Sequence, residues 1–561
     1  MRIILLLNLL VFCSLNSCTA QTPANTQTPS DPYSYQENIT ADYLRNHLEH
    51  IAHDSLMGRQ TGTEGLKKAA AYLADYHGEL GMDPIGDDES YYQYFNLHSY
   101  TLENVTFKTS TVNNGDTSVI DESLYQFGQP APFTYMVGTD DPQQGDIVFA
   151  GFGALDEERN VDNFGQEELD GNWVMVFEQI PFTVNGDTLV NPKYTNQDRI
   201  YEVITERNAA GLIVISDFNE DEYREKSTAA SMELGSPMSL SLDSLRGRQP
   251  FSGAYLTVSP EFAAEILGLE GGAMELANTR ETMVADIAYF QAYKTGVHLE
   301  VFPEVDDGPI RTQNVVSYFE GSDPELKDEV VVLMAHYDHV GVGPPDENSD
   351  YIFNGADDNG SGTATMLSIA RSFKEAADAG VRPRRSIVFL HVAAEEWGLY
   401  GSRYYSDNPI IPIQQTVANI NMDMIGRRDQ EHINRNEEDF IYIIGAEIIS
   451  SDLDSLLQEG NRKSSNITLN MRYNDLNDPN QFYRRSDHWN FGRLEVPFIF
   501  FFSGVHEDYH GQGDSVDDIL FDALEKRARL IYATTLEVAN ADNRPEVDSE
   551  EFIRRTRNNP R

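Results

Sequence analysis

Between His336 and Asp423 the chain reads H-Y-D-H-V-G (His336 to Gly341), G-A-D-D-N-G-S-G (Gly355 to Gly362), A-A-E-E-W-G (Ala393 to Gly398) and N-M-D-M (Asn421 to Met424). These clusters set histidine or carboxylate behind apolar, β-type runs, so strand ends can deliver metal-ligand side chains to one edge of a sheet. β-type runs at Val315 to Phe319, Val330 to Ala335, Ser386 to Val392, Val417 to Asn421 and Pro497 to Phe502 alternate with helical patterns at Ser361 to Ala377, Ile448 to Glu459 and Val516 to Ala539. Near-continuous apolar strands separated by helices predict an α/β fold, a mixed, mostly parallel sheet flanked by helices. Ligands of such sheets gather beyond the carboxyl ends of the strands.

Outward from this stretch, helical spacing recurs at Ala41 to His53 (Leu44, Leu48, Ile51) and at Gly65 to Met82 (Ala69, Leu73, Tyr76). The intervening Gly-rich loop, Leu56 to Thr63, lacks the Lys-Ser/Thr ending of a phosphate-binding loop, which argues against nucleotide binding. From about Tyr100 to Phe290 short β-type runs (Gly145 to Gly153, Asn172 to Phe177, Gly211 to Ser216, Ala254 to Val258) and a helix at Gln197 to Ala210 predict a smaller α/β insert with no cluster of metal-ligand spacing. The expected division is 36–99 for the N-terminal helical part, 100–290 for the insert, 291–545 for the main domain and 546–561 for a tail.

Of the 561 residues, 40% are hydrophobic and 11% aromatic, as in a globular protein with a large core. Asp and Glu number 91 against 41 Lys and Arg, and the formal charge of −50 disfavours nucleic acid as a partner. The two cysteines, Cys13 and Cys18, both lie near the N-terminus, so neither a disulfide framework nor a thiolate metal site is expected. Any metal must be held by His, Asp and Glu.

Arg2 followed by the apolar run Ile3 to Phe12 is too short to span a bilayer and fits a secretory signal. The run ends in Leu15-Asn16-Ser17-Cys18, which resembles a bacterial lipoprotein processing box. The expectation is a signal peptide at 1–17, a lipid on Cys18 that anchors the protein in the cell envelope, and a flexible Thr, Gln, Pro and Ser-rich tether at 18–35.

With these residues in view, the chain resembles the co-catalytic zinc aminopeptidases of peptidase family M28, relatives of glutamate carboxypeptidase II, the secreted glutaminyl cyclases and the transferrin receptor. The resemblance spans the helices near Ile39 and Thr312 to Asn540, and includes Tyr509-His510-Gly511 with Asp514 beyond. The G-D-I-V-F-A-G-F-G and R-N-A-A-G-L-I-V-I-S runs make the insert resemble a protease-associated domain. The family resemblance implies two zinc ions, one held by His336 and Asp423, the other by Glu396 and His510, with Asp358 bridging. Asp357 then falls outside the metal shell, and Asp338 is placed to accept the far ring proton of His336. Glu395 stands where the family keeps its general base, which would activate a water lying between the metals.

Other residues are weighed against this set. His339, His391 and His506 lie outside the five-position pattern and are expected to be satisfied or solvated histidines. Ser486-Asp487-His488 cannot be a hydrolase triad, since three consecutive residues cannot converge, and no G-x-S-x-G elbow is evident. Asp487 and His488 are expected to support the site, and Tyr509 to stabilise an oxyanion or to pack in the core. Arg484 and Arg485 could bind a substrate carboxylate. The expected activity is an exported metallo-aminopeptidase acting on peptides, with a carboxypeptidase, a glutaminyl cyclase-like acyltransferase and a non-catalytic binding protein as alternatives.

Overall fold

The computed structural model describes residues 31–558, apart from 114–115, 138–140, 185–186, 233, 235–236, 243–252, 344–345 and 347–348. The expected signal, Cys18 and most of the tether lie outside the described residues. Among the described residues no helix is long and apolar enough to cross a membrane.

The centre of the main domain is a run of strands in the order 468–470, 440–445, 498–502, 416–422, 330–336, 386–392 and 293–319. Val330–His336 pairs in parallel with Ser386–Val392 on one side and Thr416–Met422 on the other, and the latter pairs in parallel with Phe498–Phe502. Every residue of these four strands is buried, because helices cover both faces and leave no polar side to alternate with. Antiparallel neighbours flank this parallel core, where Val315 to Phe319 meets His391 to Ile387 and Tyr442 to Gly445 meets Phe502 to Ile499, so the sheet is mixed.

Helix Gly362–Asp378 turns Met366, Ile369, Ala370 and Phe373 into one core with Leu524, Ile531, Tyr532 and Leu536 of helix Phe521–Asn540 and with Leu44 and Leu48 of helix Ala41–Ile51. Thr40 and Thr63 cap the two N-terminal helices by accepting from Tyr43 N and Leu66 N, which satisfies donors that a helix start leaves open. The helix expected at Val516 to Ala539 starts later, at Phe521, after a short 3-10 turn at Val516–Asp518.

The insert has its own core around Trp173, Met175, Ile213, Leu256 and Phe149, on the parallel strands Gln143–Phe149, Trp173–Phe177, Gly211–Ile215 and Ala254–Val258. It is joined to the main domain by two long strands, Tyr92–Asn113 and Tyr293–Phe319, paired antiparallel from Tyr92↔Val315 to Thr111↔Val297. Residue 100 therefore falls inside a strand that both parts share. The predicted helix from Gln197 is α-helical only over Asn196–Tyr201 and continues as a wider π turn to Glu206.

A pair of histidines lies buried between helix Glu64–Glu79 and the sheet. His77 Nε2 is 3.0 Å from His391 Nε2, and His77 Nδ1 is 3.0 Å from Ser317 Oγ. Burial lowers His77 to about 3 and drives His391 well down, so both rings are neutral in the fold. Because the folded pKa lies below the unfolded value of about 6.5, this stability is complete above that value and is lost as pH falls towards 3. One such group contributes a loss of about 2 kcal/mol by about pH 5. His77→Gln is expected to flatten the fall in melting temperature between neutral and mildly acidic pH, measured by thermal unfolding across a pH series.

Candidate metal centre

Each strand end contributes a side chain to one point. His336 closes its strand, and its neighbour strand ends at Val392, so Glu395 and Glu396 follow close by. Ala394 takes a left-handed backbone conformation (φ 59°), which breaks the strand and lets the two glutamates point to different partners. Asp423 follows the strand Thr416–Met422, with its N–H donating to Phe501 O at 3.2 Å. Asp358 comes from the loop before helix Gly362–Asp378, and His510 from the loop after the strand Phe498–Phe502.

The carboxylate of Asp358 stands between two pairs. Its Oδ1 is 3.3 Å from His336 Nε2, which is 3.4 Å from Asp423 Oδ1. Its Oδ2 is 3.2 Å from His510 Nε2, which is 3.0 Å from Glu396 Oε2. A Glu395 carboxylate oxygen also lies within 4.8 Å of a ring nitrogen of His336 and a carboxylate oxygen of Asp423. His336 Nε2 is buried without a hydrogen-bond partner, although carboxylate oxygens surround it. Nitrogen and oxygen donors converging in this way, with an orphaned imidazole nitrogen among them, fit divalent metal ions.

The acid–base character follows from the same packing. Burial would raise Asp358, but the neighbouring rings of His336, His510 and His339 hold it well below the usual carboxylate range. Burial opposes protonation of His510, yet hydrogen bonding to Asp358 and Glu396 lifts it to about 10. Glu395 goes the other way. Burial pushes it well above the ordinary glutamate range, against the pull of His336 and with the charges of Glu396, Asp423 and Asp487 adding to the rise.

The surroundings differ from the expectation in several places. The far ring nitrogen of His336 faces the Asp338 backbone carbonyl at 3.2 Å, and the Asp338 carboxylate is farther, at 3.7 Å. That carboxylate instead accepts from Thr61 Oγ1 at 3.1 Å and from Glu395 N at 3.2 Å, so it positions the start of the Glu395–Glu396 turn. Within Ser486-Asp487-His488, the residue that reaches a ligand is Ser486, whose hydroxyl donates to Asp423 Oδ2 at 2.7 Å. Asn421 Nδ2 donates to Ser486 Oγ at 2.9 Å and lies 3.5 Å from His488 Nδ1, while Asp487 accepts from Ser402 Oγ and is raised by burial to about 7. His339, set aside on sequence, is buried with Nδ1 2.8 Å from Glu396 Oε1. Asp357 accepts from Gly426 N and lies 3.5 Å from His506 Nε2, away from the two histidine pairs. Asp514 accepts from the backbone N–H of Asp357 and of Asp358 at 2.9 to 3.0 Å, which fixes Asp358 from behind.

Arg59, inside the Gly-rich loop, has no counterpart in the sequence reading. Its buried guanidinium donates to the carbonyls of Ile51, Tyr337, Asn354 and Gly355 at 2.6 to 3.0 Å, tying together the loops that carry His336 and Asp358. Burial lowers it to about 10, so it stays charged at neutral pH. Gly58 beside it has φ 66°, and a Cβ there would meet Gly341 O at 2.1 Å, so the loop passes only if this residue is glycine. A ligand-spacing search could not find Arg59, because it serves carbonyls and no metal.

The carboxylates open into a cavity walled by Met424, Phe482, Phe500, Phe502, Val505 and Tyr509. Tyr509 stacks on His510 with ring centres 3.9 Å apart, and burial pushes its phenol up. Since Asp358 faces both His336 and His510 whereas of these two Glu396 faces only His510, Asp358→Asn is expected to lower the divalent-metal content of the purified protein more than Glu396→Gln, as read by elemental analysis.

Comparison with known proteins agrees with this geometry. Residues 314–535 match the model of peptidase family M28. Aminopeptidase YwaD of Bacillus subtilis (strain 168) is 27% identical over 235 residues, 39% of this chain and 43% of YwaD. A probable zinc metalloprotease of Leptosphaeria maculans is 35% identical over 118 residues, 21% of this chain and 25% of that protein. The match thus spans less than half the length of these curated relatives. The solved structure of the aminopeptidase from Aneurinibacillus sp. strain AM-1 shares the fold, with a TM-score of 0.51 at 15% identity over 92% of this chain and 97% of that one. Residues 314–535, which carry His336, Asp358, Glu395, Glu396, Asp423 and His510, are thus similar to peptidase family M28.

Proposed function

We propose that this protein is an exported zinc aminopeptidase that releases N-terminal residues from peptides, with two zinc ions per chain. The observation that carries the reading is the Asp358 carboxylate, one oxygen facing His336 and Asp423 and the other facing His510 and Glu396. The residues would hold one ion on His336 and Asp423, the other on Glu396 and His510, and both on Asp358. Bound zinc supplies Lewis acidity, lowering the pKa of water from about 15.7 towards about 7. Zinc suits these N and O donors, and the name of the Leptosphaeria maculans relative supports it.

Glu395 takes the part of proton carrier. Its raised proton affinity suits it to accept a proton from the attacking water and return it to the leaving amine. The Tyr509 phenol, kept protonated, lines the same cavity and is placed to donate to a developing oxyanion. Attack at the amino end of the peptide is the reading adopted. The names of the relatives agree with that end.

Glu395→Gln is expected to retain metal and to lose turnover, because glutamine keeps the shape and cannot accept a proton at neutral pH. The loss should be on the order of 100-fold to 10,000-fold in kcat, with less effect on KM. Metal loss in this variant, or near wild-type turnover on aminoacyl reporter peptides, would sink the assignment. Release of C-terminal residues by the wild type, with no action on aminoacyl reporters, would make it a carboxypeptidase.

The export and anchoring are read from Arg2, the apolar Ile3 to Phe12 and the Leu15-Asn16-Ser17-Cys18 box. Cys18→Ala is expected to leave an active enzyme soluble outside the cytoplasm, with unchanged kcat and KM. A variant that still sediments with membranes would overturn the lipid anchor.

A further inference from the structure

The catalytic cavity is lined by charges of both signs. Asp358, Glu395, Glu396 and Asp423 line one part of it, and among the described residues that line it Arg485 is the one cation. The exposed Arg485 guanidinium lies over the Phe482 ring, 4.9 Å from its centroid, and among the described residues it makes no ion pair. Other arginines of the main domain are engaged. Arg484 donates through Nε to Gln481 Oε1 at 2.9 Å, Arg427 pairs with Asp508 at 2.7 Å and Arg493 with Asp407 at 2.5 Å. In a chain with 91 acidic residues against 41 basic ones, an arginine left without a carboxylate at the rim of a site is unusual.

We propose that Arg485 recognises a carboxylate of the substrate, so that the enzyme prefers peptides carrying a negative charge within about one residue of the cleaved bond. The proposal rests on the peptidase reading. Arg485 on the Phe482 wall offers the substrate a positive charge in the same cavity. Phe482 is buried, so its ring holds the guanidinium plane and lessens the freedom lost on binding. A guanidinium offers two parallel N–H groups that match a carboxylate in a bidentate pair, which neither Gln nor Lys reproduces. Arg485 lines the same cavity as Asp358, Glu395, Glu396 and Asp423, so the charge it meets lies on a residue flanking the cleaved bond. The carboxylate therefore belongs either to an acidic N-terminal side chain or to the C-terminus of a dipeptide.

The test compares acid with neutral isostere in two pairs, leucyl-leucine against leucyl-leucinamide and glutamyl p-nitroanilide against glutaminyl p-nitroanilide. For wild type, Arg485→Gln and Arg485→Lys, the ratio of kcat/KM within each pair is measured at low and high salt. In one pair the wild-type ratio should favour the acid, fall about tenfold in Arg485→Gln and recover in part in Arg485→Lys. The wild-type preference should also shrink at high salt. The pair that responds identifies the source of the carboxylate. Ratios that Arg485→Gln leaves at wild-type values in both pairs, with neutral substrates turned over, would overturn the role of Arg485 alone. No turnover of any of the four substrates by the wild type would overturn the peptidase reading and this recognition with it.

Discussion

Asp358 is the residue on which the site depends, because its two carboxylate oxygens face two separate histidine–carboxylate pairs. A buried carboxylate with this many polar neighbours is costly unless each loop around it is fixed. The backbone under Asp358 is held by Asp514, and the Asp423 carboxylate by Ser486. Like charges are thereby kept within a few ångströms of one another in a form that metal cations would neutralise. Each of these supports acts on orientation, which sets how well preformed ligands bind.

The loops themselves are tied by two buried arginines that serve carbonyl groups. Arg59 gathers Ile51, Tyr337, Asn354 and Gly355, and Arg527 gathers Ile425, Arg427, Glu438 and Phe440 at 2.8 to 3.1 Å. Loops that pass under the surface leave carbonyl oxygens without water, and an arginine with five donors can satisfy several at once. The positive charge also opposes the surplus of carboxylates around the site. Both arginines lie beside elements that carry metal-site residues, so the fold's polar satisfaction and the site's electrostatics are met by the same side chains.

The sheet fixes the distances between clusters. Parallel pairing of Val330–His336 with Ser386–Val392 and Thr416–Met422 brings three carboxyl ends to one edge, and the left-handed Ala394 turns the chain off its strand so that neighbouring glutamates separate. The shared ribbon Tyr92–Asn113 and Tyr293–Phe319 runs from this sheet into the insert and makes the two cores one continuous hydrogen-bonded structure. A boundary drawn from a change in sequence texture falls inside that ribbon, since strands shared by two cores carry no composition break.

The sequence by itself determined the parallel core and the strand-end placement of His336, Glu395, Glu396 and Asp423, whereas Asp358 and His510, which sit on loops, were implied by the family resemblance. Apolar runs buried on both faces are legible locally, and a ligand directly after such a run must sit at a strand end. Only the tertiary structure decided which atoms support them. Thr61, Ser486 and Arg59 reach the site from segments far away in sequence, through single hydrogen bonds whose partners no spacing encodes. His339 and Asp338 show the same limit at short range, because which atom meets Glu396 or His336 depends on how the loop folds back after the strand. Strand ends are set by local hydrophobic pattern, whereas the geometry of a hydrogen bond is set by the three-dimensional packing of chain segments that the pattern leaves undetermined.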